Sequence, residues 1–141
     1  MKVKNTNAGR LSNFEVAAVL EQQARERREV ERKAPLPGAR RAVSISVRSL
    51  QDVELISDQT LGYLDKSPCA LQSRESIGAF IESLSAFKLT RAEELMLINA
   101  RPRSLVEVHL IVEECEERLT GEETQQLLDL CALLDAAEPA G

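Results

Sequence analysis

The sequence predicts an all-α protein, a compact helical bundle carrying an N-terminal helical arm. Three observations carry that prediction. Four Ser/Thr residues are each followed three positions later by Glu: Ser12–Glu15, Thr90–Glu93, Ser104–Glu107 and Thr120–Glu123. This is the capping-box pattern, in which the hydroxyl accepts from a free first-turn N–H and the carboxylate reaches back to the cap residue's own N–H. Behind these boxes apolar residues recur at spacings of three and four. No segment alternates for long enough to predict a strand; Val43-Ser44-Ile45-Ser46-Val47 alternates, but it is short and isolated.

The first helix is expected to begin near Phe14, with Val16, Val19, Leu20 and Ala24 forming an apolar patch about two turns long. From Arg25 to Lys33 it is almost wholly charged, with Glu21–Arg25 and Glu29–Lys33 placed as i,i+4 pairs. The near end is therefore expected to pack and the far end to project into water. Pro35 and Pro37-Gly38 are expected to stop it, and Ala39–Arg48 reads as linker.

Leu50–Lys66 is expected to be helical, with Val53, Ile56, Thr60, Tyr63 and Leu64 in period and either Ser49 or Ser57 as its cap. Ser67-Pro68 closes that segment. Ser73 is the expected cap of the next helix, which places Ile77, Phe80, Ile81, Leu84 and Phe87 inward. Thr90 opens a short helix through Leu95 and Ile98 that ends before Pro102, since a proline disfavours helical geometry at the residue before it. Ser104–Leu119 reads as one amphipathic helix, with Leu105, Val108, Val112, Cys115 and Leu119 inward and glutamates over much of the rest. The last helix is expected from Thr120 to about Leu134, with Leu127, Leu130, Cys131 and Leu134 inward. The organisation predicted is thus an N-terminal partner-binding segment and helix over 1–34, a linker over 35–48, a helical bundle over 49–135 and a tail over 136–141.

Composition agrees with this fold class. A chain of 141 residues suits one domain, and a chain that size buries roughly 68–70% of its unfolded surface. Aromatics are 3% of the chain and Trp is absent, so the core must be built from Leu, Ile, Val and Ala, which suit helix-on-helix packing. Cys69, Cys115 and Cys131 are odd in number and widely spaced, which argues against a disulfide framework and for a reducing compartment. No apolar run reaches the ~18 residues of a membrane span, and Met1–Asn5 lacks the hydrophobic stretch of a signal peptide.

The net charge of −5 hides a split. Residues 1–48 hold eleven Lys/Arg against five Asp/Glu, and residues 49–141 hold seven against eighteen. The acidic majority argues against a free-standing DNA-binding domain. The basic arm reads either as a solvated face or as a surface for nucleic acid or an acidic partner.

Catalytic chemistry finds no foothold. His109 is the single histidine; Glu113 one turn later does not complete a metal site, and no Ser-His or Cys-His arrangement has a third member. Phosphate-cradling glycine loops and calcium loops are absent from the sequence. No catalytic residue, cofactor or metal is expected, and binding is the class that remains.

Several stretches then resemble one family. Met1-Lys2-Val3 followed by Leu11-Ser12-Asn13-Phe14-Glu15-Val16 is similar to the N-terminus of the family of the ninth RNA polymerase III subunit, also called the calcitonin-gene-related-peptide receptor component family. Thr60-Leu61-Gly62-Tyr63-Leu64, Lys66-Ser67-Pro68-Cys69, Gln72-Ser73 and Phe87–Glu93 agree with it, as do Asn99-Ala100-Arg101-Pro102, Val106-Glu107-Val108 and Val112–Leu119. The resemblance covers most of the chain and is weakest over Arg25–Arg48.

The resemblance implies a bundle like the helicase-and-RNase-D C-terminal (HRDC) fold and a nuclear, non-catalytic small stalk subunit supporting transcription initiation. It implies pairing with a larger stalk subunit that carries a tip domain and an OB-type barrel, together with the polymerase core and initiation factors. It makes the barrel of that partner the better candidate for RNA contact, with an indirect nucleic-acid contact for this chain. By the same resemblance Met1, Val3, Phe14, Val16, Val19 and Leu20 would meet the partner, and the Arg101-Pro102 corner would orient that surface. The alternatives are the equivalent subunit of RNA polymerase II or the archaeal enzyme, a helical nucleic-acid-binding module, and a membrane-receptor role for which no lipidation motif is present at Met1-Lys2 or Ala140-Gly141.

Overall fold

The computed structural model describes residues 4–6, 8–33 and 44–135, with residues 44–49 described in backbone only. Among the described residues the chain is all-α. The helices are α1 (Asn13–Lys33), α2 (Ser44–Leu64), α3 (Arg74–Ser83), α4 (Arg91–Ala100), α5 (Leu105–Ile111), α6 (Cys115–Arg118) and α7 (Gly121–Cys131). Short 3₁₀ turns follow α2, α3 and α7 at Pro68–Leu71, Leu84–Ala86 and Ala132–Leu134. No described helix is long and apolar enough to cross a membrane.

Local chemistry starts most of these helices. Thr90, Ser104 and Thr120 form the expected capping boxes, each hydroxyl accepting from the N–H of the Glu three residues on while that Glu accepts from the cap's own N–H. Ser73 forms a fourth with Ser76, whose hydroxyl takes the role a Glu or Gln usually plays. Ser76 also donates to the carbonyl of Leu134, so the cap of α3 holds the end of the last described helical turn. α1 begins at Asn13, one residue before the expected start, directly after the buried Ser12. Thr120→Ala is expected to cost about 1 kcal/mol, the usual worth of a Thr cap, read as a lower midpoint in urea with an unchanged slope.

Two compact units divide the chain: one is Met1–Phe14 with Pro68–Gly141, the other Glu15–Ser67. In the first, Phe80, Leu84, Leu97, Ile98, Val108, Val112, Cys115, Leu127, Cys131 and Leu134 make one buried cluster. The caps set this up. They start α3, α4, α5 and α7 in registers that turn one apolar residue per turn inward. All three cysteines are buried and free, and Cys115 and Cys131 lie in the core as expected. Burial pushes the Cys131 thiol up to about 12, with Arg101 pulling weakly the other way.

The second unit is built differently. α1 has no fully buried residue. On α2, among the described side chains, Ser57 and Leu64 are buried, whereas Leu50, Val53, Leu55, Ile56 and Tyr63 are exposed. Arg27 of α1 reaches Glu54 of α2 at 3.7 Å. The expected Glu21–Arg25 and Glu29–Lys33 pairs are present at 3.8 Å, on side chains well open to water and therefore worth little.

Several expectations are corrected. α2 begins at Ser44, before Ser49 and Ser57, so positions 44–48 of the expected linker are helical; the remainder of that linker, 35–43, and the tail, 136–141, lie outside the described residues. α2 falls in the same unit as α1 rather than with the bundle. Ile81 and Leu105, expected inward, are 46% and 40% exposed, because each sits at the margin of its helix's apolar arc.

Ser104–Leu119, expected as one helix, forms two, Leu105–Ile111 and Cys115–Arg118. Glu114 adopts a left-handed conformation with φ of 50° between α5 and α6. Val108, Val112 and Cys115 nevertheless all remain in the core. The break is imposed from elsewhere in the bundle.

Candidate partner-binding surface

The agent of that break is a single carboxylate. Glu93, in the first turn of α4, is 6% exposed. One of its oxygens accepts from the backbone N–H of Thr90 at 2.8 Å, closing the cap of α4. The other accepts from the backbone N–H of Glu113 at 3.2 Å. In a continuous helix that N–H would donate to the carbonyl of His109.

Arg118 completes the arrangement. Its guanidinium donates to both Glu93 oxygens at 2.6 and 3.1 Å, to the carbonyl of Glu113 at 2.8 Å and to the carbonyl of Lys88 at 2.8 Å. Tertiary hydrogen bonds thereby replace helical ones at the α5–α6 junction. The Arg118 guanidinium holds the Glu93 carboxyl down at about 2, against an opposing desolvation and with further help from the Thr90 and Glu113 N–H groups. This brace joins the start of α4, the α5–α6 junction and the carbonyl of Lys88.

A second polar cluster lies at the far end of α4. Arg101 closes that helix in a left-handed conformation, φ 44°, and its guanidinium pairs with Asp135. Gln72, buried at 6% exposure, donates to the carbonyl of Ile98 at 2.7 Å and so satisfies one of the orphan carbonyls at the helix end. Pro102 is buried. Arg101 and Pro102 thus act inside the unit, closing α4 and holding the end of the α7 segment, rather than presenting a free face.

The other expected interface residues divide between the two units. Phe14 belongs to the first and is half-buried. The start of its helix is pinned by the Asn13 N–H, which donates to Asn99 Oδ1 of α4 at 2.9 Å. Val16, Val19 and Leu20 belong to the second unit; Val16 and Leu20 are half-buried and Val19 is exposed. Met1 and Val3 lie outside the described residues.

A larger uncovered surface lies on α2, among the residues expected to follow a helical period. Val53, Ile56 and Tyr63 are spaced by three and seven residues, which puts them on one side of α2, and they are 48, 62 and 71% exposed. Their periodicity was legible; what covers the face was not. An apolar helical stripe left in water marks an interaction surface more often than an accident of composition.

A family model described as RNA polymerase Rpb4 matches residues 10–135. The chain is 33% identical over 66 residues to DNA-directed RNA polymerase III subunit RPC9 of Saccharomyces cerevisiae, a match covering 47% of this chain and 41% of that protein. It is 31% identical over 85 residues to DNA-directed RNA polymerase III subunit rpc9 of Dictyostelium discoideum, covering 54% of this chain and 65% of that one. The chain therefore spans less than two thirds of the length of either relative.

Proposed function

Because the chain belongs to the RNA polymerase Rpb4 family, we propose that it is a non-catalytic stalk subunit of nuclear DNA-directed RNA polymerase III. In this reading it pairs with the larger stalk subunit, the one bearing the tip domain and OB-type barrel, and supports initiation at small non-coding RNA genes. The observation that carries the choice of polymerase is that both relatives are polymerase III subunits by name. The structural support is the second unit, where α1 buries no residue fully and α2 exposes Val53, Ile56 and Tyr63. In this reading another chain covers Val19 of α1 and Val53, Ile56 and Tyr63 of α2, which are exposed. Met1, Val3, Phe14, Val16, Val19 and Leu20 supply the N-terminal part of that interface, and the Arg101-Pro102 corner helps orient it.

Co-expression with the larger stalk subunit of the same organism tests the pairing. Size-exclusion chromatography is expected to give a single one-to-one complex. Val19→Asp with Ile56→Asp is expected to weaken it by at least about tenfold, since burying even one unpaired charge costs more than 1.4 kcal/mol, while the helical circular dichroism of the free chain is retained. Independent elution of the two wild-type chains contradicts the pairing.

A further inference from the structure

α5, on the bundle, has no part in the proposed pairing with the larger stalk subunit. Its sequence is Leu-Val-Glu-Val-His-Leu-Ile, apolar on nearly every side. Helices of that kind are ordinarily buried all round. Here Val108 faces the core at 0% exposure and Ile111 packs against it, yet Val106 and Leu110 are 69 and 79% exposed and Leu105 is 40%. Val106 and Leu110 are four residues apart, so their side chains stand one above the other on the face opposite Val108.

The surroundings specify what fits. The chain leaves the Leu110 end of α5 through the turn at Glu113-Glu114 and enters α6 at Glu116-Glu117, and all four glutamates are exposed. Arg118, the cation of that segment, is engaged by Glu93 and two backbone carbonyls. Glu113 contributes to the field on Arg118. The carboxylates of Glu114, Glu116 and Glu117 hold no ion pair among the described residues. Glu107, on the flank of the ridge, is committed to the cap, where the N–H groups of Arg103 and Ser104 hold its carboxyl below the usual range. Arg103, exposed, stands at the opposite end. The ridge is therefore apolar in the middle and negative at its α6 end, a polarity that gives a bound segment a direction.

We propose that the Val106–Leu110 ridge docks a basic, amphipathic segment of another protein chain, its apolar residues seated on Val106 and Leu110 and its Lys/Arg on Glu114, Glu116 and Glu117. Apolar contact supplies the affinity, and the charges supply selection among partners and the rate of encounter.

The test places a photo-crosslinking benzoylphenylalanine at Leu110 of the full chain expressed in its own cells, with the same probe at exposed Gln126 as control. Crosslinked peptides are then sequenced. The expected product joins Leu110 to a segment in which Lys or Arg lies within a few residues of aliphatic or aromatic ones. The triple variant Glu114→Lys, Glu116→Lys, Glu117→Lys, all at exposed positions, is expected to lower the yield about tenfold without changing the melting temperature. A product with an acidic or uncharged segment, or with a second copy of this chain, overturns the proposal. So does a yield at Leu110 no higher than at Gln126, or one the charge reversal leaves unchanged.

Discussion

Phe80→Ala is expected to be among the most damaging single substitutions in the chain. Phe80 is fully buried in the main core cluster, the largest side chain there. Deleting an aromatic ring from a packed core costs about 3–5 kcal/mol, the transfer loss plus the cavity left behind. Against a total stability of roughly 5–15 kcal/mol that is a large fraction, and a fall in Tm on the order of 10–20 °C is expected. Ile81→Ala provides the contrast. The periodicity of α3 puts both residues inward, but Ile81 is 46% exposed, and its truncation is expected to cost less than about 1 kcal/mol. Thermal melts of the two variants check the difference; equal losses would mean α3 is rotated from the orientation described.

Breaking the Glu93–Arg118 brace is the second large effect. Glu93 titrates at about 2 in the folded chain, below its ordinary value of 4.5. At 1.36 kcal/mol per pH unit, that difference corresponds to at most about 3 kcal/mol of stability. Because the folded pKa is the lower one, the contribution is complete above about pH 4.5 and is lost as the pH falls through about 2. Glu93→Gln is therefore expected to destabilise the chain by about 2–3 kcal/mol at neutral pH, below the 3–5 kcal/mol typical of breaking a fully buried pair. The reason is that Arg118, with 30% of its side chain exposed, can turn to water. The variant should also show a shallower loss of stability between pH 4.5 and 2 than the wild type. Arg118→Met alone leaves Glu93 unpaired, and the double variant is expected to be less destabilised than the two singles added together. Additive losses would show that the pair does not act as one unit.

That brace also explains where sequence reasoning reached its limit. Capping is local, so Thr90, Ser104 and Thr120 could be recognised from residues three positions apart, and Ser73 escaped the full pattern only because Ser76 stands where Glu is usual. The bundle core was equally accessible, since Phe80, Val108, Leu127 and Cys131 follow their helical periods. The division of Ser104–Leu119 into α5 and α6 was not, because it depends on a carboxylate twenty residues upstream capturing the Glu113 N–H. Nothing in the local sequence, a good helical run, announces it. On α2 the apolar face was found and its exposure was not. Periodicity identifies a face that wants covering but is silent on whether the cover comes from the same chain. For the same reason Arg101 and Pro102, picked out by resemblance, gain a concrete role only from the structure, which places one in an ion pair with Asp135 and buries the other.

Affinity purification of the tagged full chain from its own cells, with identification of what co-purifies, tests the polymerase III assignment most directly. The account predicts stoichiometric recovery of the larger stalk subunit and the polymerase III core. Recovery of RNA polymerase II subunits in their place, or of no polymerase, would contradict it.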